Sequence, residues 1–478
     1  MIRFCLNGEW IEETSFDPSW TILAYMRTKA MQLSVKEGCA GGDCGACSVL
    51  VGEANSHGAV QYLAVNACIA LLGSLDGKYI ITVEGLSDGE QLHPAQQAIV
   101  DHHGSQCGFC TPGIVTSLAA LYHNQGGNSP SDHEIHDALS GNLCRCTGYR
   151  PIIEAAKAMN NYPAPHAGAP VLSNVVGHFD PSAPNEGGEA VVDHQGRKLF
   201  IPQDEQQLAS ILAQHPRATI WAGGTDLGLE ISQQFKQFDV LVSLHKVASL
   251  TDVSENNEHV RFGAMVTYHK SHSVLQQHFP SFAQLLERIG SRQIRNLGTL
   301  GGNVANGSPI GDTPPVFFAL NARVEIASSR GVREVAIEDF FKGYKQTDLQ
   351  AGEYLKSIIV PKLTAQQSLH VFKVSKRKED DISAVLMAAR IERDGNTIKE
   401  ARIACGGMAA TPLRARDTEA ALNGQPLQLA SFEAASEHIK NDYSPITDVR
   451  ASDAYRLNVA ANLVIKTGLA SCDKAGVK

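Results

Sequence analysis

The sequence predicts a multidomain protein of the α+β class. Its 478 residues are too many for one ordinary hydrophobic core. The apolar periodicity changes from strand-like to helical near residue 86, and a stretch rich in Pro, Gly and Ala then precedes a second region that mixes both patterns. We therefore expect domains over residues 1–85, 86–160, 196–366 and 367–478, with a linker over 161–195.

Composition and charge narrow the class of protein. The chain is 43% hydrophobic and 19% charged, as soluble globular proteins are, and its net charge of −9 argues against a nucleic-acid partner. No apolar run approaches the roughly 18 residues of a transmembrane helix. The N-terminus MIRFCLNGEW lacks the basic start and apolar run of a secretion signal. We expect a cytoplasmic protein.

The first two domains differ in their predicted elements. In residues 1–85, RFCLNGEWIEE predicts a hairpin that turns at Asn7-Gly8, SWTILAYMRTKA predicts a helix, and CSVLVGE, AVQYLAVNA and KYIITVEGL predict strands. In residues 86–160, four short helical patterns are each bounded by Gly, Pro or Ser: HPAQQAIVDHHG, PGIVTSLAALYHN, DHEIHDALSG and RPIIEAAKAMNNY. The second domain is therefore expected to be all-helical.

The region after the linker is larger. DEQQLASILAQH predicts an amphipathic helix, TIWAGG a strand that enters a glycine turn, and DVLVSLHKV another strand. From about residue 367 the pattern becomes antiparallel, with a hairpin that turns at Asp394-Gly395, and helices follow to residue 470.

The cysteines fall into two groups. These groups hold eight of the 11 cysteines and lie within the first 150 residues. In a reducing compartment, clustered cysteines indicate metal binding or catalysis rather than disulfides. The scattered Cys5, Cys405 and Cys472 are expected to be small apolar or surface thiols.

The first group has the spacing of plant-type [2Fe–2S] ferredoxins. CAGGDCGAC places Cys39, Cys44 and Cys47 as C-x4-C-x2-C, and Cys68 follows on a later segment. The intervening glycines allow backbone N–H groups to approach the sulfur atoms. Structural zinc is the alternative, but zinc loops favour paired two-by-two spacing.

The second group combines Cys107 and Cys110 with Cys144 and Cys146, as C-x2-C followed by C-x-C. Each pair precedes a predicted helix, the first with Thr111 as expected N-cap, so that two helix N-termini would face one anionic site. On this pattern alone zinc is a fair rival. Two iron–sulfur clusters side by side would form an electron relay.

These motifs resemble a known family. GCAGGDCGACSV, QCGFCTPG and GNLCRCTGYRP are similar to the two-cluster iron–sulfur domains of the molybdenum hydroxylases, which include xanthine dehydrogenase and aldehyde oxidase. The resemblance implies a ferredoxin-like β-grasp domain and an all-helical [2Fe–2S] domain. It also implies that the second cluster lies nearest a molybdenum site and the first nearest a flavin.

Two glycine-rich segments lie in the second half, over residues 222–227 and 298–312. Neither matches G-x-G-x-x-G, so a Rossmann fold is disfavoured, and on spacing alone ordinary glycine turns are as plausible as cofactor binding. WAGGTDLG, RNLGTLGGNVANGSPIGDTPP and FKVSKRKEDDISAV resemble the family's two-part α+β FAD-binding domain, of the vanillyl-alcohol-oxidase type, and the C-terminal α+β domain after it.

By position, the resemblance implies three sets of FAD contacts, and places Ile289 where the family often has a Phe near the flavin. The sets are Trp221, Ala222, Gly223, Gly224, Thr225, Asp226 and Leu227 at the pyrophosphate; Thr299, Gly302, Asn303 and Ala305 at the phosphate and ribityl chain; and Asp312, Leu355 and Lys373 in the rest of the pocket.

The charged run over residues 376–381 reads by composition as a solvated face. Its resemblance to the family's loop near the flavin implies instead that Asp380, together with Tyr344, borders a nicotinamide site.

The family's full-length enzymes continue into a long molybdenum-cofactor portion that this sequence does not contain. The resemblance therefore implies a large partner subunit that carries the molybdopterin cofactor and the catalytic site, in a tetramer of two small and two large subunits. No catalytic residue is expected in this chain. Electrons from xanthine or hypoxanthine would pass through the two clusters to FAD and then to NAD⁺.

Two alternatives stay open. One is the electron-transfer subunit of another molybdenum hydroxylase, acting on aldehydes or N-heterocycles. The other is a non-enzymatic scaffold with zinc in one or both cysteine groups.

Overall fold

The computed structural model describes residues 1–54, 60–87, 89, 91–164 and 191–475. They form two compact units and confirm the multidomain α+β class. The first unit comprises Met1–Ile211, Arg217–Lys246 and Gly290–Gly298, and the second comprises Leu212–Pro216, Val247–Ile289 and Thr299–Lys478. Most of the predicted linker, residues 165–190, lies outside the described residues.

The first unit begins with a five-stranded sheet. Its elements are β1 (Ile2–Leu6), β2 (Glu9–Glu13), α1 (Ile22–Thr28), β3 (Ser48–Ala54), β4 (Val60–Asn66) and β5 (Tyr79–Ile81), in the strand order β2-β1-β5-β3-β4. The β1–β2 hairpin turns at Asn7 and Gly8 with φ values of 49° and 93°, as predicted. The strand predicted in KYIITVEGL ends at Ile81, because a 3₁₀ turn follows over Val83–Leu86.

Four helices follow, as predicted: α2 (Pro94–Asp101), α3 (Thr111–Asn124), α4 (Asp132–Leu139) and α5 (Arg150–Ala158). Ala98, Leu118, Ile135 and Ile152 are fully buried between them. The predicted N-cap of α3 is wrong by one residue. Thr111 already belongs to the helix and Cys110 is the N-cap, because Pro at the next position lacks an N–H and suits the first turn.

The rest of the first unit contains β6 (Val192–His194), β7 (Arg197–Phe200), α6 (Glu205–Gln214, whose last residues belong to the second unit), β8 (Thr219–Trp221), α7 (Leu227–Ser232) and β9 (Val240–Ser243). The strands form a sheet in the order β6-β7-β9-β8, in which β7 and β8 run parallel to β9. Leu199, Trp221 and Leu241 are buried in the same apolar core as β1 and α1.

The second unit opens with a mixed layer of helices and strands. It holds β10 (Val253–Glu255), β11 (His259–Gly263), α8 (Tyr268–His278) and α9 (Pro280–Leu286). Helix α10 (Arg292–Leu297) belongs to the first unit. The second unit continues with α11 (Leu300–Ala305), α12 (Thr313–Ala319), β12 (Arg323–Ser328), β13 (Gly331–Ala336), α13 (Ile337–Phe340), β14 (Phe341–Gly343), β15 (Gln346–Thr347) and β16 (Tyr354–Pro361). The larger sheet has the order β10-β11-β16-β12-β13.

The C-terminal part is an antiparallel sheet with helices. Its elements are β17 (Gln367–Val374), β18 (Val385–Asp394), β19 (Thr397–Gly406), β20 (Leu413–Arg414), α14 (Arg416–Leu422), α15 (Leu429–Ser436), α16 (Ile439–Asp442) and α17 (Asp453–Ala475). The β18–β19 hairpin turns through Gly395 and Asn396, one residue later than predicted. Within the described residues, no helix combines the length and apolar character of a membrane span.

Candidate iron–sulfur centres and flavin segments

The first four cysteines come together from the loop before β3 and the turn directly after β4. Cys39 accepts hydrogen bonds from the Cys44 and Cys68 thiols, and these hold the pKa of Cys39 well below its usual range. Cys47 also accepts from Cys68, which lowers the pKa of Cys47. As donors, Cys44 and Cys68 have raised pKa values. The four sulfur atoms thus meet in one place, with Cys47 and Cys68 buried.

The loop around these cysteines turns its backbone N–H groups toward sulfur. The N–H groups of Gly41 and Cys44 lie 3.3 Å and 3.4 Å from Cys39 Sγ. Ala40 has a positive φ of 52°, which bends the loop tightly around that sulfur. Donors of this kind stabilise thiolates, so the loop suits an anionic cluster.

The second four cysteines also meet, nearer the surface. The Phe109 N–H and the Cys146 thiol both donate to Cys107 and lower its pKa. Burial, and then a hydrogen bond to Cys144, raise the pKa of Cys110 to about 12. Cys107 and Cys146 are exposed, whereas Cys144 is buried.

Cys144 has a lowered pKa despite its burial. Burial acts against the thiolate, but hydrogen bonds from the hydroxyl and N–H of Thr147 outweigh it. Thr147 Oγ1 lies 3.1 Å from Cys144 Sγ. Thr147, which follows the C-x-C pair directly, therefore helps to hold its thiolate.

The helix N-termini contribute unequally to this second site. Cys110 is the N-cap of the 14-residue helix α3, at the positive end of the helix dipole. The N-cap of α5 is Tyr149, with φ 68°, and its hydroxyl accepts a hydrogen bond from the Cys144 N–H at 2.9 Å. Of the two helix N-termini expected at this site, that of α3 is capped by Cys110 itself. That of α5 is linked to the site by the hydrogen bond between Tyr149 and Cys144.

The donor sets fit paired iron atoms. Each [2Fe–2S] cluster is held by four thiolates, shared between its two irons, whereas structural zinc requires four ligands around one point. Within each set of four cysteines, the thiols are joined to one another by pairwise hydrogen bonds between sulfur atoms.

The two cysteine-bearing loops touch each other. The Leu143 N–H donates to the Cys44 carbonyl at 3.0 Å, so the neighbour of Cys144 is bonded to a residue of the first site. A Cβ on Gly45, whose φ is 67°, would overlap the Gly141 carbonyl oxygen. Hydrogen bonds and a close backbone contact therefore join the two cysteine-bearing loops.

The first glycine-rich segment adjoins the first cysteine site. It follows Trp221, which is buried at the end of β8, and it leads into α7. A Cβ on Gly223 would overlap the Leu297 carbonyl oxygen, so the backbone there is closely packed. At the end of α7, the Ser232 hydroxyl donates to the Ala40 carbonyl at 2.7 Å. The segment over 221–227 is thus tied through α7 to the loop that carries Cys39.

The second glycine-rich segment lies in the second unit from Thr299 onward. Thr299 caps α11, and its Oγ1 accepts from the Gly302 N–H at 2.9 Å. Asn303 Oδ1 accepts from the Thr313 hydroxyl at 2.6 Å. Ala305 ends α11, and Ile289 packs partly buried against the core of this unit.

Asp312 and Lys373 form a buried ion pair. Lys373 Nζ lies 2.8 Å from Asp312 Oδ2, and the two side chains are 3% and 8% exposed. The Ser383 hydroxyl donates to Asp312 at 2.6 Å, and Lys373 also donates to the Arg288 carbonyl at 2.8 Å. Leu355, on β16, is buried in the same unit. The two charges are fully paired within the fold.

The residues expected at a nicotinamide site lie on separate loops. Tyr344 is 63% exposed between β14 and β15. Asp380 lies after β17 with φ 46°. Both residues belong to the second unit.

The sequence patterns did not reveal the polar residues of α10. Gln293, Arg295 and Asn296 are buried and bond to the cysteine-bearing domains, as does Asn142 from the loop before Cys144. The segment SRQIRN is polar and short, which predicts exposure, so the sequence carried no signal for these contacts.

Four protein-family models match the chain. They are the 2Fe-2S iron–sulfur cluster binding domain over residues 4–72, the [2Fe-2S] binding domain over 82–157, the FAD binding domain in molybdopterin dehydrogenase over 194–363, and the CO dehydrogenase flavoprotein C-terminal domain over 370–470.

Several curated proteins are similar over almost the whole chain. The xanthine dehydrogenase of Drosophila subobscura is 32% identical over 99% of this chain, and that of Emericella nidulans is 33% identical over 93%. The matches cover 39% and 36% of those proteins, so the chain spans about two fifths of the length of these relatives.

Solved structures resemble part of the chain. A carbon monoxide dehydrogenase chain from Hydrogenophaga pseudoflava, lacking the Mo-pyranopterin moiety of its cofactor, matches with a TM-score of 0.56 and 27% identity. The match covers 58% of this chain and 98% of that one. Quinoline 2-oxidoreductase from Pseudomonas putida 86 matches with a TM-score of 0.54, 28% identity and the same coverages.

Proposed function

Because the chain belongs to the molybdenum hydroxylase family, as the part with two [2Fe–2S] domains and an FAD-binding domain, we propose that it is the electron-transfer subunit of a xanthine dehydrogenase. The observation that carries this proposal is the contact between the two cysteine loops through Leu143 and Cys44. A relay requires its carriers close together, whereas independent zinc sites do not.

The surroundings of each site support the proposed order of the carriers. The first site is tied to the first glycine-rich segment through Ser232, which supports its place beside the flavin. The second site exposes Cys107 and Cys146, which supports its place at the surface where electrons arrive. When bound, the clusters carry electrons singly and FAD passes two of them on as hydride to NAD⁺.

The chain's own residues serve to bind and to position. We assign Cys39, Cys44, Cys47 and Cys68 to the first cluster, and Cys107, Cys110, Cys144 and Cys146 to the second. For FAD we retain the residues implied at 221–227, at 299–312, and at Ile289, Leu355 and Lys373. For NAD⁺ we retain Tyr344 and Asp380. No side chain of this subunit is needed as a general base.

A large subunit with the molybdopterin cofactor would dock at the second site, in a tetramer of two small and two large subunits. Three large apolar residues next to the cysteines support this docking, since Phe109, Leu143 and Tyr149 are 46%, 55% and 36% exposed.

Xanthine and hypoxanthine, in purine catabolism, are the proposed substrates of the complex. The xanthine dehydrogenases match across both iron–sulfur domains and the flavin domain in one run, whereas the carbon monoxide dehydrogenase chain matches 58% of this chain. The alternative is an N-heterocycle hydroxylase, which the match to quinoline 2-oxidoreductase favours.

A turnover screen of the purified complex tests this choice. We expect NAD⁺ reduction with xanthine and hypoxanthine as substrates. Turnover of quinoline, nicotinate or an aldehyde without turnover of purines would replace the xanthine assignment with the alternative. In the subunit alone, we expect NADH to bleach the flavin absorbance under anaerobic conditions, and an unchanged flavin spectrum would remove NAD⁺ as the acceptor.

A further inference from the structure

Gln293 on α10 is fully buried, and its two side-chain N–H groups face three acceptor oxygens. Its Nε2 lies 2.9 Å from Asn142 Oδ1, 3.2 Å from Ser117 Oγ and 3.3 Å from Ser48 Oγ. Its Oε1 is buried and accepts no hydrogen bond from any residue that the structure describes. The side chain therefore acts through its N–H groups.

These three acceptors belong to segments that carry cysteines of both sites. Ser48 directly follows Cys47, whereas Ser117 lies on α3, the helix that Cys110 caps. Asn142 lies two residues before Cys144, and its Nδ2 donates to the Gly45 carbonyl at 3.2 Å. One buried amide thus reaches the surroundings of both clusters.

The rest of α10 is fixed against the same domains. Asp137, at the end of α4, accepts from Arg292 at 2.9 Å and also from Arg295, which is 4% exposed. Asn296 Nδ2 donates to the Ala64 carbonyl at 2.9 Å. Charge-assisted hydrogen bonds of this kind hold the helix, and with it the Gln293 amide, in place.

We propose that Gln293 is a positioning residue for electron transfer between the two clusters. It holds the cysteine loops at the contact between the Leu143 N–H and the Cys44 carbonyl. This proposal rests on the proposed function. The transfer moves one electron from the reduced second cluster to the oxidised first cluster and breaks no bond. Its rate therefore depends on the separation that the two loops set.

The test compares two substitutions of buried amides on the same helix, in the full chain with both clusters and FAD. Gln293→Met keeps the volume and removes the donors. Asn296→Leu is the control, because among the described residues the Asn296 side chain bonds only to the Ala64 carbonyl on β4, which leads to the first site, and does not connect the two sites. The measured quantity is the spin–spin splitting between the two clusters in the EPR spectrum of the fully reduced protein.

We expect Gln293→Met to shift this splitting and to slow reduction of the first cluster through the second, and Asn296→Leu to lower the melting temperature while leaving the splitting unchanged. An unchanged splitting in Gln293→Met, or an equal shift in Asn296→Leu, would overturn the proposal. If Gln293→Met does not fold, Ser117→Ala removes one acceptor and should give a smaller shift, and no shift would again refute the role. A parent protein without two cluster signals would instead refute the proposed function itself.

Discussion

At the residue scale, hydrogen bonds to sulfur set the protonation state of several candidate ligand cysteines. Thr147 and the backbone N–H groups beside Cys39 lower the pKa of the thiols that they contact. Thiolates are the form that binds iron, so these donors prepare the ligands before any metal arrives. The same thiols in apolar surroundings would be protonated, as burial shows for Cys405, whose pKa it raises to about 12.

Cys146→Ser tests the assignment of the second site. Loss of one thiolate should remove the second cluster, and with it half of the iron, while the first cluster and FAD stay bound, because Cys146 is exposed and its loss leaves the core intact. Iron content, flavin content and the EPR spectrum measure this. Cys472→Ser, at a thiol outside both groups, is the control. Loss of FAD with both clusters intact would contradict the assignment.

The buried pair of Asp312 and Lys373 gives a second test at this scale. Lys373→Met leaves the Asp312 charge buried without its cation, which typically costs about 3–5 kcal/mol. We expect a lower free energy of unfolding in denaturant, together with loss of FAD. The control is Lys378→Met, since Lys378 is 82% exposed in its ion pair and its removal should change little. Equal effects of the two substitutions would show that the buried pair has no special role.

At the scale of elements, short loops and helix ends position every candidate ligand. The cysteines lie in the loop before β3, directly after β4, at the N-cap of α3 and in the loop before α5. Most of these elements could be predicted from the sequence, because strand and helix periods, the Asn7-Gly8 turn and the cysteine spacing are local signals. The burial of Gln293 could not be predicted from the sequence, because it depends on partners more than 150 residues away in the chain.

Gly45→Ala tests the contact between the two cysteine loops. An added Cβ would overlap the Gly141 carbonyl oxygen, and the positive φ adds backbone strain of roughly 1 kcal/mol. We expect poor incorporation of both clusters, measured as iron per chain. Gly395→Ala is the control, because its φ of 58° is similar but its Cβ would meet nothing within 4 Å. Full iron content in Gly45→Ala would mean that the loops can move apart without loss of the sites.

Helices α2 and α3 share a buried histidine pair. His93 Nε2 lies 3.1 Å from His123 Nε2, and burial lowers the pKa of His93 to about 3 and that of His123 to about 4. The Ala95 N–H donates to His93 Nδ1, so the His93 proton is on Nε2 and His123 is its acceptor. Both rings are therefore neutral in the folded protein at neutral pH.

This pair predicts a loss of stability in mild acid. Below pH 6.5 the unfolded chain binds protons on both rings and the folded chain does not, so the stability that is fully present above pH 6.5 falls as the pH approaches 4. His123→Gln should flatten this dependence by up to about 1.4 kcal/mol per pH unit, measured by denaturant unfolding. His133→Gln, at an exposed ring on α4, is the control. An unchanged pH dependence in His123→Gln would contradict the prediction.

At the scale of the whole molecule, the chain combines two cluster domains with a flavin domain and its C-terminal companion. The cysteine spacings predicted both cluster domains, because a spacing encodes ligand geometry directly. The flavin residues could be proposed only from the resemblance to the family. The glycine segments over 221–227 and 299–312 fall in different compact units, and neither contains a motif that identifies FAD by itself.

The central claim is that this chain is an iron–sulfur flavoprotein whose clusters form a relay. Visible and EPR spectroscopy of the purified, dithionite-reduced protein tests it most directly, together with its iron, zinc and flavin contents. We expect two distinct [2Fe–2S] signals and FAD in equimolar amount with the chain. A colourless protein that contains zinc and no flavin would contradict it.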